Sequence, residues 1–423
     1  MHNCKVFKFA RRVSIIMSQT YIKRELEDVL KRAAREFPAV VLTGPRQSGK
    51  TTLLKHLFGK NCAYVSLEPL DVRSAATADP RSFLEMHQPP IIFDEVQYAP
   101  DLLPYIKEHI DKNRSKHGQY LLTGSQNLLL MERVTESLAG RAAMLRLLPL
   151  SYKEMLGSPG SPLPWEVAKK RFSRKHMPYP ELWQSFIRGG YPELAAEPGR
   201  NLSLWHASYI QTYLERDVRT LRQIGDLTLF QNFLRALAAR SGQLLNLVDI
   251  SRDLGIALNT SKAWLSVLEA TFQVIILRPY FANIGKRLVK TPKVYFADTG
   301  TLCHLAGLKD PEHAASGPMG GAIFETAVLS EITKALLRRG EVPHVYFWRT
   351  SAGTEVDFVI EAEGKLISVE VKLSATPRPK MASGLNTFKK DFSKKAGPGY
   401  LVHPGDVRLP MGEGIVAIPF TEL

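Results

Sequence analysis

Only three cysteines, Cys4, Cys62 and Cys303, occur in 423 residues. They are scattered, odd in number and free of any C-x-x-C pair, which excludes a disulfide framework and a zinc site and points to a reducing compartment. Long apolar runs are missing as well. No stretch reaches the roughly 18 residues that crossing a bilayer takes, and the apolar piece at 13–17 is too short for a signal-peptide core. A soluble, cytoplasmic protein with no membrane partner is the expectation. Residues 1–19 read as an extension outside the folded chain, with Met17 as an alternative start. Acidic residues are also in deficit, with 41 Asp and Glu against 56 Lys and Arg, a net charge of +15. That excess favours polyanionic partners, DNA first among them, against the plain alternative of a basic protein kept soluble by its charge.

What is present is ordinary globular material: 44% hydrophobic, 9% aromatic and 23% charged residues. The length exceeds what one core serves, so roughly two to four domains are expected. Apolar bursts at 40–42, 63–67, 91–93 and 120–123 alternate with helix-compatible segments, the pattern of an α/β fold with a parallel sheet. Residues 157–164 (GSPGSPLP) and 309–321 (KDPEHAASGPMGG) carry no hydrophobic period and read as loops.

The strongest motif is Gly44–Thr51, GPRQSGKT, placed between a strand and a helix. Glycines let backbone amides close around phosphate, Lys50 reaches the β and γ phosphates, and the Thr51 hydroxyl meets magnesium. Gly44, Pro45, Arg46, Gln47, Ser48, Gly49, Lys50, Thr51 and Thr52 are therefore the candidate ATP-binding residues. Downstream, Ile91–Phe93 delivers Asp94 and Glu95 at a strand end. Asp94 is expected to share the magnesium ion with Thr51, and Glu95 to orient and deprotonate the attacking water. Ser125, in LLTGSQN, is the candidate polar sensor beside Gln126. Arg141, in SLAGR, is a candidate arginine finger given to a neighbouring subunit, or a solvated surface arginine.

Taken together, TGPRQSGKTTL, FDEVQ, LTGSQN, SLAGR, GGYPE at 189–193 and YLERDV at 213–218 resemble a family of prokaryotic AAA-type P-loop ATPases. Its members carry a C-terminal domain of nuclease-like fold and unknown function. The resemblance covers the chain from about Ile22 to its end. It implies a parallel-sheet P-loop core with a helical lid, and a homo-oligomeric ring, commonly a hexamer.

Two further patterns complete the reading. Leu247–Leu254, Gly255 and Asn259–Ala270 suggest two helices around a glycine turn, with Val248, Ile250, Leu254, Trp264, Leu265 and Leu268 as core. With strands at 274–280 and 293–297 this resembles a winged helix. Asn259, Thr260, Ser261 and Lys262 at the second helix's start, and Lys286, Arg287 and Lys290 in the wing, are its candidate DNA contacts. Near the C-terminus, strands at 355–360 and 365–372, closed by pairing 360 with 365, put Val356, Phe358, Ile360, Ile367, Val369 and Val371 on one face. Glu355, Asp357, Glu370 and Lys372 then share the other. The D, then E-x-K order resembles the restriction-endonuclease-like superfamily, in which such carboxylates hold a divalent metal. Glu325, on a helix at 323–337, matches that family's helical acidic residue, whereas Val356 stands where many active members have proline.

The expected layout is an ATPase core at 20–156, a helical lid at 157–225, a winged helix at 226–310 and a nuclease-like α/β domain at 311–423. The expected function is a DNA-associated ATPase using ATP and Mg2+, serving recombination, branched-DNA processing or defence, with a nuclease site as a further candidate. The rival is a nucleotide-switched signalling ATPase acting on a protein partner.

Overall fold

The computed structural model describes residues 21–125, 134, 136–166, 177–214, 226–280 and 291–423. The N-terminal extension, Gln126, most of YLERDV and the wing residues Lys286, Arg287 and Lys290 lie outside the described residues.

Strands β1 (Ala39–Thr43), β2 (Ala63–Ser66), β3 (Ile91–Asp94), β4 (Tyr120–Gly124) and β5 (Ala142–Arg146) form a sheet in the order β2-β3-β4-β1-β5. Every pairing in it is parallel. Strands β1, β3 and β4 are buried along their whole length, which is why they read as unbroken apolar runs. Val41, Phe93 and Leu122 pack on Leu103 and Ile106 on one face. Val40, Ile92 and Leu121 pack on Leu30, Leu53 and Leu54 on the other. The first four strands lie where the sequence places them. Strand β5 was not anticipated, because Ala-Ala-Met-Leu-Arg has no β-branched residue to announce it. Since all five strands run the same way, the residues following β1, β3 and β4 emerge on one edge, where ligands of such sheets bind.

The rest of the chain is built on a second sheet. Strands β6 (Val274–Pro279), β7 (Lys293–Phe296), β8 (Val345–Arg349), β9 (Glu355–Ala362), β10 (Lys365–Val371), β11 (Ala396–His403), β12 (Leu409–Gly412) and β13 (Ile415–Pro419) follow the order β12-β13-β11-β10-β9-β8-β6-β7. Strands β6 and β7 pair antiparallel, and β6 also pairs parallel with β8 through Arg278 and Pro279. The helical segments and the C-terminal strands therefore share one sheet and one core, in which Trp183, Phe230, Trp264, Phe324, Phe358 and Phe420 belong to a single apolar cluster.

Three local expectations change. The β9–β10 hairpin pairs Ala362 with Lys365, two residues further along than expected, leaving Glu363 (φ 48°) and Gly364 (φ 76°) as a two-residue turn of the kind that needs positive φ twice. Because side chains alternate with period two, a shift of two leaves the faces unchanged. Val356 is an exception. Tyr346 faces Val359 while Trp348 faces Val356, so β9 carries an extra residue at 357–358, and Val356 packs with Trp348, Val359 and Leu385 instead. Finally, 309–321 is not all loop: Asp310 caps a short helix, Pro311–Ser316, and Gly320 opens a longer one.

That longer helix, Gly320–Leu337, spans about 27 Å at the usual rise per residue. Glu325 stands near its start. Towards its end, Glu331 accepts from the Tyr152 N–H (2.9 Å), Lys334 donates to the Leu150 carbonyl (2.9 Å), and Arg338 pairs with Glu25 at 2.7 Å. The helix thus runs from the C-terminal sheet to the base of the P-loop domain. Phe324 is fully buried between Phe186 and Phe420, so Phe324→Ala should cost about 3–5 kcal/mol. Chemical denaturation followed by circular dichroism measures it, and a loss under about 1 kcal/mol would show that the shared core is not cooperative.

Candidate active site

Strand β1 ends at Thr43, and the helix Lys50–Phe58 begins behind Gly49, whose φ of 91° only glycine adopts readily. At Gly44 a Cβ would lie 2.1 Å from the Leu147 carbonyl oxygen, so that position also demands glycine. The loop between them folds in on its own lysine. Lys50 Nζ donates to the Gly44 (3.1 Å) and Pro45 (3.0 Å) carbonyls, and the Ser48 hydroxyl is buried with no partner among the described residues. Arg46 is buried and donates to the Tyr98 hydroxyl at 3.2 Å. A cleft of about 380 Å3 opens beside the loop, lined by Tyr21, Gln47, Thr51, Thr52 and Glu95 on one side and Pro192 of the GGYPE segment on the other. Its size suits a nucleotide-sized ligand.

The carboxylates arrive as expected. Asp94 accepts from the Thr51 hydroxyl (2.9 Å), from Tyr64 (2.9 Å) and from Thr123. None of these partners carries charge, and Thr51 and Asp94 are the pair that would hold a magnesium ion. Glu95 has a left-handed φ of 58°, which swings its side chain out of β3 towards the cleft. Its carboxylate accepts from Ser125 at 3.2 Å and from Gln97. Burial works to raise the Glu95 pKa, but Lys50, the Gln97 hydrogen bond and Arg46 together outweigh it and hold the carboxyl below its ordinary value. Ser125, read as a sensor of phosphate, is thus also a direct support of Glu95. Arg141 sits at the opposite end of the sheet: its carbonyl accepts from the Ala39 N–H, and its guanidinium grips Asp111 at 2.7 and 3.0 Å.

One residue that the sequence did not single out braces the loop. Arg24, only 6% exposed, donates to the Ser48 carbonyl of the P-loop (2.8 Å), to the Leu148 carbonyl (2.7 Å) and to Glu154 (3.0 Å). Glu154 closes a capping box with Ser151 and also accepts from the Glu25 N–H at 2.7 Å. The S-x-x-E spacing of Ser151 and Glu154 was the readable part of this arrangement; the arginine, 130 residues away in sequence, was not.

Of the candidate DNA contacts that are described, Asn259 and Lys262 are exposed and Thr260 half-buried. Ser261 is corrected: it is fully buried, 2.8 Å from the Ser251 hydroxyl, because the two helices cross at that point. Val248, expected in the core, is 59% exposed, being two residues and so about 200° round the helix from the buried Ile250.

In the C-terminal unit, Glu325, Asp357, Glu370 and Lys372 do converge, together with Glu355 and with two residues the sequence reading missed, Lys293 and Tyr295 of β7. Lys293 Nζ lies 3.3 Å from Glu325 and 2.5 Å from Glu355; Tyr295 donates to Glu325. Asp357 accepts from the Val371 N–H (2.8 Å), and Glu370 from Lys372 (2.5 Å). Burial first, then the charges of Glu325 and Glu370, push the Asp357 carboxyl well above the carboxylate range; burial also raises Glu370. Among the described residues, no group of three or more His, Cys, Asp or Glu side chains is arranged to hold a metal ion. Of the carboxylates around the D and E-x-K pattern, Glu325, Glu355 and Asp357 meet the charge of Lys293 in this arrangement. No described helix is long and apolar enough to cross a membrane.

A P-loop ahead of a parallel sheet, with a strand-end Asp-Glu pair beside it, defines a P-loop ATPase domain of the AAA type. Residues 36–156 match the family described as AAA domain, and residues 179–312 and 320–423 match two domains of unknown function (DUF8612 and DUF4143). An uncharacterized protein of Mycobacterium tuberculosis is 31% identical over 405 residues, covering 95% of this chain and 84% of that one, and an uncharacterized Mycobacterium bovis protein gives the same figures. The chain belongs to the family of these mycobacterial proteins. An uncharacterized Haemophilus influenzae protein is 23% identical over 401 residues, covering 89% of this chain and 93% of that one. Among solved structures, a Walker-type ATPase of Pyrococcus abyssi aligns with a TM-score of 0.44 at 16% identity over 68% of this chain and 97% of its own. A variant of Thermotoga maritima RuvB aligns with a TM-score of 0.26 at 16% identity over 62% and 91%.

Replacing Arg24 by alanine would leave Glu154 buried without its charge partner, at a cost of about 3–5 kcal/mol. Thermal unfolding of Arg24→Ala with and without nucleotide measures it. An unchanged melting temperature would show that the P-loop does not lean on this arginine.

Proposed function

We propose that the chain is a magnesium-dependent ATPase that couples nucleotide turnover to the binding or remodelling of DNA, working as a homo-oligomeric ring, hexameric as in the AAA-type ATPases it resembles. One observation carries the catalytic part: Thr51, Asp94, Glu95 and Ser125 meet beside the P-loop on a single edge of the sheet. Thr51 and Asp94 would hold Mg2+, which when bound neutralises charge on the phosphate oxygens. Lys50 exchanges the Gly44 and Pro45 carbonyls for phosphate. Glu95, held ionised and fixed by Ser125 and Gln97, orients the attacking water and takes its proton. Arg141, once released from Asp111, would supply charge to a neighbouring subunit's site.

The DNA part rests on the excess of 15 positive charges and on exposed Asn259 and Lys262 at the start of a helix that follows a glycine turn. We read that helix pair with β6 and β7 as a winged helix presenting its second helix to phosphate. The rival reading, a switch acting on a protein partner, draws on the ties from Glu331, Lys334 and Arg338 to the P-loop domain, which would carry nucleotide state into the C-terminal unit without any DNA.

ATP turnover measured with no DNA, duplex, single-stranded and four-way-junction DNA separates the two. Stimulation by one DNA form, weakening steeply as salt rises, supports the DNA reading; indifference to all forms overturns it in favour of the protein switch. Glu95→Gln should keep nucleotide binding and lower turnover about a hundredfold or more, whereas Lys50→Ala should abolish binding. Wild-type ATP affinity in Lys50→Ala, by equilibrium titration, would remove the P-loop from the mechanism.

A further inference from the structure

We infer that the C-terminal carboxylate cluster is not a metal centre in the native chain: its resident cation is the Lys293 ammonium group, and a divalent ion is admitted only when that group is removed. The inference is independent of the ATPase reading.

The residue types are those of a metal-dependent phosphodiesterase, and the arrangement is not. Lys293 comes from β7, at the edge of the eight-stranded sheet, and its side chain is 6% exposed. Its Nζ bridges Glu325 on the long helix and Glu355 on β9, at 3.3 and 2.5 Å, while a second cation, Arg349, lies 3.5 Å from the other Glu355 oxygen. The remaining acids are occupied by donors too. The Tyr295 hydroxyl points its hydrogen at the same Glu325 oxygen, the Val371 N–H at Asp357, and Lys372 at Glu370. A hard divalent cation takes about six oxygens, some of them water. Here the Lys293 ammonium already stands between Glu325 and Glu355. Glu370 Oε2 is buried with no partner among the described residues.

Charge gives the same answer. Glu325, Glu355, Asp357 and Glu370 are matched by Lys293, Lys372 and Arg349, so the cluster is nearly neutral before any ion arrives. An incoming divalent cation would be placed against a buried ammonium, and like charges out of water repel strongly. Removing Lys293 leaves four acids against two bases and frees oxygens of Glu325 and Glu355 together.

The test measures Mn2+ uptake by electron paramagnetic resonance on the full, nucleotide-free chain, carrying Asp94→Asn so that the P-loop site does not contribute. With Lys293 in place, no uptake is expected that depends on Asp357. Lys293→Met, and Lys293→Gln as a second variant should the first not fold, should bind Mn2+ at least tenfold more tightly, and adding Asp357→Asn should abolish the gain. Mn2+ binding by the Lys293 protein that Asp357→Asn removes would overturn the inference. So would either folded Lys293 variant, with an unchanged circular dichroism spectrum, taking up none.

Discussion

The Arg24 guanidinium is the constraint to which the rest of the structure is referred. It is almost fully removed from water, where an unpaired charge is costly, so its partners must stay in place. Those partners are the P-loop backbone at Ser48, the chain just past β5 at Leu148, and Glu154 in the capped turn beyond. Next to it, Glu25 reaches Arg338 at the end of the long helix. One short segment of chain therefore indexes the phosphate-binding loop, the outer edge of the parallel sheet and the C-terminal unit against one another. The helix Gly320–Leu337 continues that polar connection towards the C-terminal sheet.

The molecule holds buried carboxylates in two ways, and the contrast separates the two clusters. Asp94 is surrounded by the hydroxyls of Thr51, Thr123 and Tyr64. These donors are neutral hydroxyls, which orient the carboxylate without adding positive charge beside it. Glu325 and Glu355 are met by an ammonium group, which both orients and cancels. Composition is much alike in the two places; the charge of the donors differs.

What the sequence made legible follows from distance along the chain. The P-loop and the Asp94-Glu95 pair are contiguous, and backbone geometry within a few residues determines what they do, so they could be read directly. The face assignment of the β9–β10 hairpin was legible because period two survives a register shift of two, whereas the displacement of Val356 by an extra residue was not, since nothing in EVDFVI marks a bulge. Ser261 looked like a polar residue offered to a partner, and only the crossing helix carrying Ser251 makes it internal. Arg24 and Lys293 escaped notice for one shared reason: each is defined by partners dozens of residues away, at Glu154 for the first and at Glu325 and Glu355 for the second.

The joining of β6 to β8 carries a consequence for how this chain came to be divided and could be divided again. The two regions of unknown function meet between residues 312 and 320, but the sheet does not end there: Arg278 and Pro279 pair with Tyr346 and Phe347 across that border. A cut at the border would strip β8 of its neighbour and bare a row of peptide groups that recruit any strand available, the usual start of aggregation. The two regions thus share one sheet, and a chain carrying only one of them would present an open strand edge where the other belongs.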